Sequence, residues 1–181
     1  MNKNTLFEED LKEDAVIDVA RAMMVAARTA PKAKGVDNLR IAFVNTIGKE
    51  EIANEMKNMV ERGEAASFFL RDAQNLINSD GLVLIGTSIH PMRLDNCGLC
   101  GFANCEEKEK FPFAPCAFNT GDLGIAVGSA VSIAADKRVD NRVMFSVGMG
   151  ARKLALLGSD VKIIHGLVLS IKGKNIFFDR K

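Results

Sequence analysis

The amino-acid sequence predicts an α+β fold in which a mixed central sheet of about four strands is flanked by helices. Several segments carry apolar residues at helical spacing, beginning with Val16 and Ala20. Runs of aliphatic residues such as Leu82–Gly86 are typical of strands that are buried on both faces. The predicted order starts with a helix, and strands and further helices then follow without a regular alternation. We therefore expect residues 1–181 to form a single domain, with residues 88–118 as an irregular, cysteine-rich insert that binds a metal.

The composition narrows the classes of function. The chain has 181 residues, with 24 basic and 23 acidic side chains and a net charge of +1. This balance argues against a nucleic-acid or anionic-membrane surface, which needs clustered positive charge. No apolar stretch is long enough to span a membrane, and Met1–Asp14 is too acidic for a targeting peptide. We therefore expect a cytoplasmic protein, and in that compartment clustered cysteines more often bind metal than form disulfides.

The first half of the chain is expected to contain three helices and two strands. The first helix, Glu8–Thr29, ends at Ala30 because a residue that precedes proline is disfavoured in the α-helical conformation. Pro31–Asn38 then forms a loop, and Gly63 lies where the second helix needs a C-cap. The remaining predicted elements are the strand Leu39–Thr46, the helices Lys49–Arg62 and Ala66–Asn78, and the strand Leu82–Gly86.

The second half is expected to contain two helices and two strands. The helix Thr120–Asp136 is apolar nearly all round and is rich in glycine, which predicts close packing or a subunit interface. Asp140 and Asn141 are N-cap candidates for a helix over Arg142–Leu157, which Gly158 ends. The predicted strands are Val161–Ile171 and Ile176–Phe178.

The four cysteines of the chain all lie within one short segment. They are Cys97, Cys100, Cys105 and Cys116, with spacing C-x2-C-x4-C-x10-C. Thiolates are soft ligands that suit zinc and iron–sulfur clusters. Glycines follow the first two cysteines, where a backbone without Cβ can curl tightly around a cluster, and four phenylalanines can shield it from water. The pattern favours all four cysteines as ligands of an iron–sulfur cluster, with [4Fe–4S] as the expected form.

Two other interpretations of these cysteines stay open. The same four thiolates can form a closed structural zinc site, and Cys97 with Cys100 can form a redox-active dithiol. His90 is a less favoured additional ligand, and His165 lies in a predicted strand, where a hydrogen-bonded histidine is expected. The charged run from Glu106 to Lys110 is expected to form a solvated face.

The cysteine spacing resembles a known cluster-binding domain. Corrinoid iron–sulfur proteins and the B subunit of Rnf-type electron-transport complexes carry Cys-Gly-x-Cys-Gly-aromatic-x-x-Cys, which Cys97–Cys105 matches at every fixed position. Those domains have a longer gap before a Cys-Pro pair, whereas here Cys116 comes sooner and follows Pro115. The resemblance implies an iron–sulfur cluster held by Cys97, Cys100 and Cys105, with Cys116 as the fourth ligand.

The whole chain resembles a family of bacterial and archaeal proteins described as containing a ferredoxin domain. The resemblance includes the loop around Ala30-Pro31, the block Arg71-Asp72-Ala73, the cysteine segment and Val139–Arg142. It supports the cluster interpretation and implies no particular activity.

The order of elements is also similar to that of flavin-dependent nitroreductases, which begin with a long helix that ends in an Ala-Pro loop. That similarity implies a homodimer and makes FMN a further candidate cofactor. Nitroreductases carry an arginine-rich phosphate-binding motif before the first helix, and Met1–Asp14 contains no arginine. The available partners for a flavin phosphate are Arg28, Lys32, Lys34, Arg152 and Arg180.

Together these observations predict an iron–sulfur protein that serves electron transfer or a reductase reaction, with a redox partner protein or a small-molecule electron acceptor. One alternative is a non-enzymatic protein with a structural zinc site made of the four cysteines. The other is an FMN-dependent, nitroreductase-like oxidoreductase.

Overall fold

A computed structural model, which describes residues 4–178, shows one four-stranded sheet with helices on both faces. The helices are α1 (Glu8–Thr29), α2 (Thr46–Glu61), α3 (Phe68–Ile77), α4 (Cys105–Glu109), α5 (Ala117–Asp136) and α6 (Phe145–Lys153). The strands are β1 (Leu39–Val44), β2 (Gly81–Ser88), β3 (Asp140–Met144) and β4 (Val161–Ser170), in the order β1-β2-β4-β3. The predicted α+β class is confirmed.

The direction of the strands differs from the prediction. Each of the three strand pairs is antiparallel, so the sheet is not mixed. Between β1 and β2, the helices α2 and α3 pack against each other as a pair. Such a pair returns the chain to the end of the sheet where β1 stops, and β2 therefore runs antiparallel to it.

Two cores lie on opposite faces of the sheet. On one face α1 and α5 pack over the strands, with Met23 and Leu123 fully or almost fully buried. On the other face α2, α3 and α6 form a second core that includes Met56 and Val147. All eight residues of β2 are buried, as its aliphatic run predicts for a strand between two helical layers.

The predicted helix over Arg142–Leu157 is wrong at both ends, because α6 covers only Phe145–Lys153. Residues Asp140–Met144 form the strand β3, which pairs with β4 and places Arg142 opposite Val168. The helix α6 begins only at Phe145. Asp140 and Asn141 resemble helix caps, but β3 is an edge strand with one neighbour and therefore needs little apolar character of its own.

The predicted last strand is also wrong. Residues 171–178 contain turns and bends and no strand pairing. Phe177 instead packs into the core beneath α6 and is 3% exposed. The guanidinium of Arg142 donates a hydrogen bond of 3.0 Å to the Phe177 carbonyl, which anchors this segment to the sheet edge.

Several helix ends follow from local sequence. The bounds of α1 match the prediction, and Gly63 has a φ of +71° directly after the C-cap of α2. The helix α2 begins earlier than expected because the Asn45 side chain caps it by accepting a hydrogen bond from the Gly48 N–H. No helix of the described part is both long and apolar enough to cross a membrane.

Candidate metal centre

The four cysteines line one cavity. The chain leaves the sheet after Ser88 and returns to it at α5, and we call residues 89–116 the cysteine segment. Cys97, Cys100 and Cys105 are half-buried and Cys116 is buried, and all four are free thiols. The other cavity walls are mainly apolar and include Met92, Leu94, Phe102 and Phe118. The segment thus gathers the soft donors that the sequence singles out.

The glycines beside the first two cysteines form the tight backbone turns that the sequence predicts. Gly98 has a φ of +60° and Gly101 a φ of +87°, a region that only glycine enters at low cost. The Gly101 N–H donates to the Gly98 carbonyl at 3.0 Å and closes a tight turn between Cys97 and Cys105. These turns bring the first three cysteines back to the same cavity.

Cys105 and Cys116 lie at the starts of two helices. Asn104 caps α4 by accepting a hydrogen bond of 2.8 Å from the Glu107 N–H, and Glu107 in return accepts one of 2.7 Å from the Ala103 N–H. Cys105 is therefore the first residue of α4. Cys116 is the N-cap of α5, a position where free backbone N–H groups favour negative charge such as a thiolate.

Asn119 ties the two ends of the cysteine segment together, and the sequence analysis missed it. It lies one helical turn after Cys116, is 1% exposed, and accepts a hydrogen bond of 2.8 Å from the His90 N–H. Asp122, one turn further along α5, accepts a hydrogen bond of 3.0 Å from the Ala33 N–H. The signal available in the sequence was a polar residue one helical turn after the last cysteine.

The donor set fits a thiolate-bound metal, although the thiols are not yet at ligating distance. Within residues 4–178 no three side chains of the His, Cys, Asp or Glu type converge closely enough to hold a metal ion. The four cysteines face one apolar cavity, and that chemistry suits zinc or an iron–sulfur cluster. In small metal modules, ligation itself often orders the loops that carry the ligands.

The aromatic shield is smaller than predicted. Phe102 and Phe118 line the cavity, and Phe111 stacks on Phe102 with ring centroids 5.4 Å apart. Phe113 is 79% exposed and does not cover the site. Three of the four phenylalanines therefore lie where they can limit access of water.

The charged run after Cys105 is not a uniformly solvated face. Glu106, Glu109 and Lys110 are exposed, but Lys108 is 2% exposed. Glu109 forms an ion pair of 2.8 Å with Arg93 across the segment. The expectation for this run is thus wrong at Lys108, because α4 turns this residue to the same side as Cys105.

The three cations nearest the Ala-Pro loop are all held by groups of the chain. Arg28 donates to the Asp37 carboxylate at 2.6 Å and to the Leu39 carbonyl at 3.1 Å. The Lys32 ammonium donates to the carbonyls of Ala27, Arg28 and Ala30, the last two at 2.7 Å, and so caps α1. Lys34 donates to the Met92 carbonyl at 3.3 Å, which links this loop to the cysteine segment.

Two of the remaining sequence candidates, Arg152 and His165, lie away from the cysteines. Arg152 and His165 line a shallow cavity between α6 and β4, and Arg180 lies outside the described residues. His165 differs from the expected hydrogen-bonded histidine, since its Nδ1 is buried without a partner in the described part of the chain. Burial lowers the pKa of His165 and so favours the neutral ring. The His90 side chain is exposed.

Comparison with known proteins identifies a family model and a relative that match this chain. A family model described as "Uncharacterized protein containing a ferredoxin domain (DUF2148)" matches residues 114–180, which include Cys116. An uncharacterized protein of Archaeoglobus fulgidus is 40% identical over 182 residues, covering 97% of each chain.

Solved structures of low sequence identity share the fold. A hypothetical oxidoreductase from Bacillus subtilis has a TM-score of 0.57 at 14% identity over 87% of this chain, and the chain spans 58% of its length. A nitroreductase with bound FMN from Desulfitobacterium hafniense has a TM-score of 0.56 at 13% identity, covering 87% of this chain and 78% of that one. The chain therefore has a nitroreductase-like fold and belongs to the family of proteins described as containing a ferredoxin domain.

Proposed function

We propose that this protein is an iron–sulfur protein that serves electron transfer or a reductase reaction. Cys97, Cys100, Cys105 and Cys116 would hold one [4Fe–4S] cluster, and residues 88–118 would be the cluster-binding insert of a single domain. The observation that carries the proposal is the shared cavity of all four thiols, with tight glycine turns between the first three. Membership of the ferredoxin-domain family supports it.

A bound cluster would supply one-electron redox chemistry, and the chain would control access to it. Phe102 and Phe118 would limit access of water to the cavity. Cys97 and Cys100 are only partly buried, and their exposed side would face an electron donor or acceptor. That acceptor is a redox partner protein or a small molecule.

Purification without oxygen, followed by iron and acid-labile sulfide analysis, tests this function. We expect close to four irons and four sulfides per chain, a broad visible absorbance, and an EPR signal after reduction. Cys97→Ser should lose most of the iron, and the exposed Ser132→Ala should keep it. A colourless protein with one zinc ion would contradict the proposal and favour a structural four-thiolate zinc site in a non-enzymatic protein.

A nitroreductase-like flavoenzyme is the second candidate, favoured by the match of the fold to a nitroreductase with bound FMN. Its phosphate site would need Arg28, Lys32 or Lys34, each of which already donates to groups of the chain. Quenching of FMN fluorescence on titration with the protein would support this candidate. Lys34→Ala should then weaken FMN binding, because Lys34 has the longest hydrogen bond of the three.

We also propose that the protein is a homodimer that packs through the exposed face of α5. Gly121, Gly124 and Gly128 are exposed there, and a Cβ added at any of them would meet no atom within 4 Å. Ile125 lies on the same face and is 48% exposed. A flat, small-residue helix face beside an exposed isoleucine permits close approach of a second helix.

A further inference from the structure

A cavity that the proposed function does not use lies between α6 and β4. It has a volume of about 190 Å³, and none of the described residues that line it also lines the cavity of the four thiols. Its apolar walls come from Phe145 and Met149 of α6 and from Ile163 and Ile164 of β4. The cavity is therefore distinct from the candidate metal centre.

Two contacts hold the walls of this cavity in place. A Cβ added at Gly148 would overlap the Ile164 carbonyl oxygen, so α6 already touches the backbone of β4. The ring of Phe145 packs against the rings of Phe68 and Phe69, with centroids 5.8 and 5.9 Å away, and the residue is still 51% exposed. A preformed aromatic wall needs little ordering when a ligand binds.

The two ends of the cavity differ in polarity. Phe145, Met149 and Arg152 are four and three residues apart, so they lie along one face of α6. Seven residues of a helix span about 10 Å, which separates an aromatic end of the cavity from a cationic end.

The path of α6 brings a second cation to the cationic end. The strand β3 ends opposite Gly166, and Gly148 then lies against Ile164. The helix α6 therefore runs along β4 in the direction of Lys162. Arg152 lies further along α6 in this direction, and both Arg152 and Lys162 line the cavity.

Neither cation has a carboxylate partner within residues 4–178. The guanidinium of Arg152 forms no hydrogen bond or ion pair with these residues, and the Lys162 ammonium donates to the uncharged Ser159 carbonyl at 2.7 Å. Asp160 is close to Lys162 in sequence, but it pairs with Arg40 at 3.0 Å. No acidic side chain of the described part lines the cavity. The chain itself therefore leaves the positive charge of this end available to an anion.

The volume of the cavity limits the size of its ligand. Sites for drug-sized ligands have volumes of roughly 300–1,000 Å³, which is more than this cavity provides. An apolar cavity of about 150 Å³ accommodates a benzene molecule. The space between α6 and β4 therefore suits one aromatic ring with a short acidic arm.

We propose that the cavity between α6 and β4 binds a small aromatic carboxylate. The ring packs on Phe145 and Met149, and the carboxylate pairs with Arg152 and Lys162. A guanidinium matches the geometry of a carboxylate because its N–H groups form a planar fork. This inference goes beyond the proposed function, since it does not depend on the metal that the cysteines hold.

Titration of the isotope-labelled, full-length protein with phenylpropionate, followed by NMR of the backbone amides, tests this site. We expect a dissociation constant of roughly 1 mM, with the largest shifts in residues 145–152 and 162–164. The neutral phenylpropanol and the ring-free propionate should each bind at least about tenfold more weakly. Equal affinity for phenylpropionate and phenylpropanol would overturn the inference, as would shifts concentrated elsewhere or no shift at roughly 10 mM phenylpropionate.

A matched pair of variants tests the role of Arg152. Arg152→Met should weaken phenylpropionate binding about tenfold, because the carboxylate loses its charged donor. Arg138→Met also removes one exposed arginine and should bind as wild type does, since Arg138 does not line this cavity. Equal dissociation constants in the two variants would overturn the inference. Each of these outcomes leaves the proposed function standing, because the iron and sulfide content is measured separately.

Discussion

A substitution at Gly148 is the most direct test of how closely α6 packs on the sheet. A Cβ added there would lie 1.8 Å from the Ile164 carbonyl oxygen and 2.5 Å from its carbonyl carbon. The obstacle is strand backbone, which cannot rotate away as a side chain can. Relief of the clash needs α6 and β4 to separate by roughly 1.2 Å, through a core that is close-packed on this face.

We expect Gly148→Ala to destabilise the fold by about 3 kcal/mol, at the upper end of the usual cost of overpacking. For a chain of this length, that loss lowers the unfolding temperature by roughly 6–12 °C. Thermal unfolding followed by circular dichroism, at one metal content, measures the effect.

The matched control is Gly124→Ala in the middle of α5, where an added Cβ meets nothing within 4 Å. It should raise the unfolding temperature by roughly 2–4 °C, because alanine is favoured over glycine in a helix by about 1 kcal/mol. Low protein concentration limits any contribution of a subunit interface to both values. An unfolding temperature of Gly148→Ala within about 2 °C of wild type would refute the close approach of α6 to β4.

Three further predictions concern a helix cap, a carboxylate and a surface. Lys32→Met should destabilise the protein by about 2 kcal/mol in urea unfolding, because it leaves the carbonyls at the end of α1 without their cation. Lys57 is exposed, and the control Lys57→Met should have little effect. Burial alone would raise the pKa of Asp37, but hydrogen bonds from Arg28 and the Leu39 N–H outweigh it and hold this pKa below 3.8. Asp37 therefore stabilises the fold above its unfolded pKa and loses this contribution as the pH falls through its folded pKa. The free energies of unfolding of wild type and Asp37→Asn should therefore converge at low pH. A constant difference between these free energies from pH 7 to pH 3 would contradict this. Ile125→Glu should convert a dimer to a folded monomer in light scattering, and an unchanged mass would exclude the α5 face as the interface.

Much of the fold is local in origin and therefore readable from the sequence. The apolar spacing of α1 and the following proline set both ends of that helix, and the aliphatic run of β2 marks a strand buried on two sides. The candidate ligands and the glycine turns beside them can likewise be predicted from the sequence. This is possible because ligand type and tolerance of positive φ are properties of single residues.

Other features depend on partners far away in the chain. Residues 140–144 become a strand only because β4 offers its edge, and Phe177 leaves the predicted strand because the core beneath α6 has room for its ring. The depth of Lys108 also comes from the tertiary fold, since the charged run around it is polar at every position. The sequence thus determined which cysteines are the candidate ligands, and it determined most of the helices. The tertiary structure decided which side chains share a cavity and which polar residues are buried, because burial and pairing depend on neighbours that no local pattern contains.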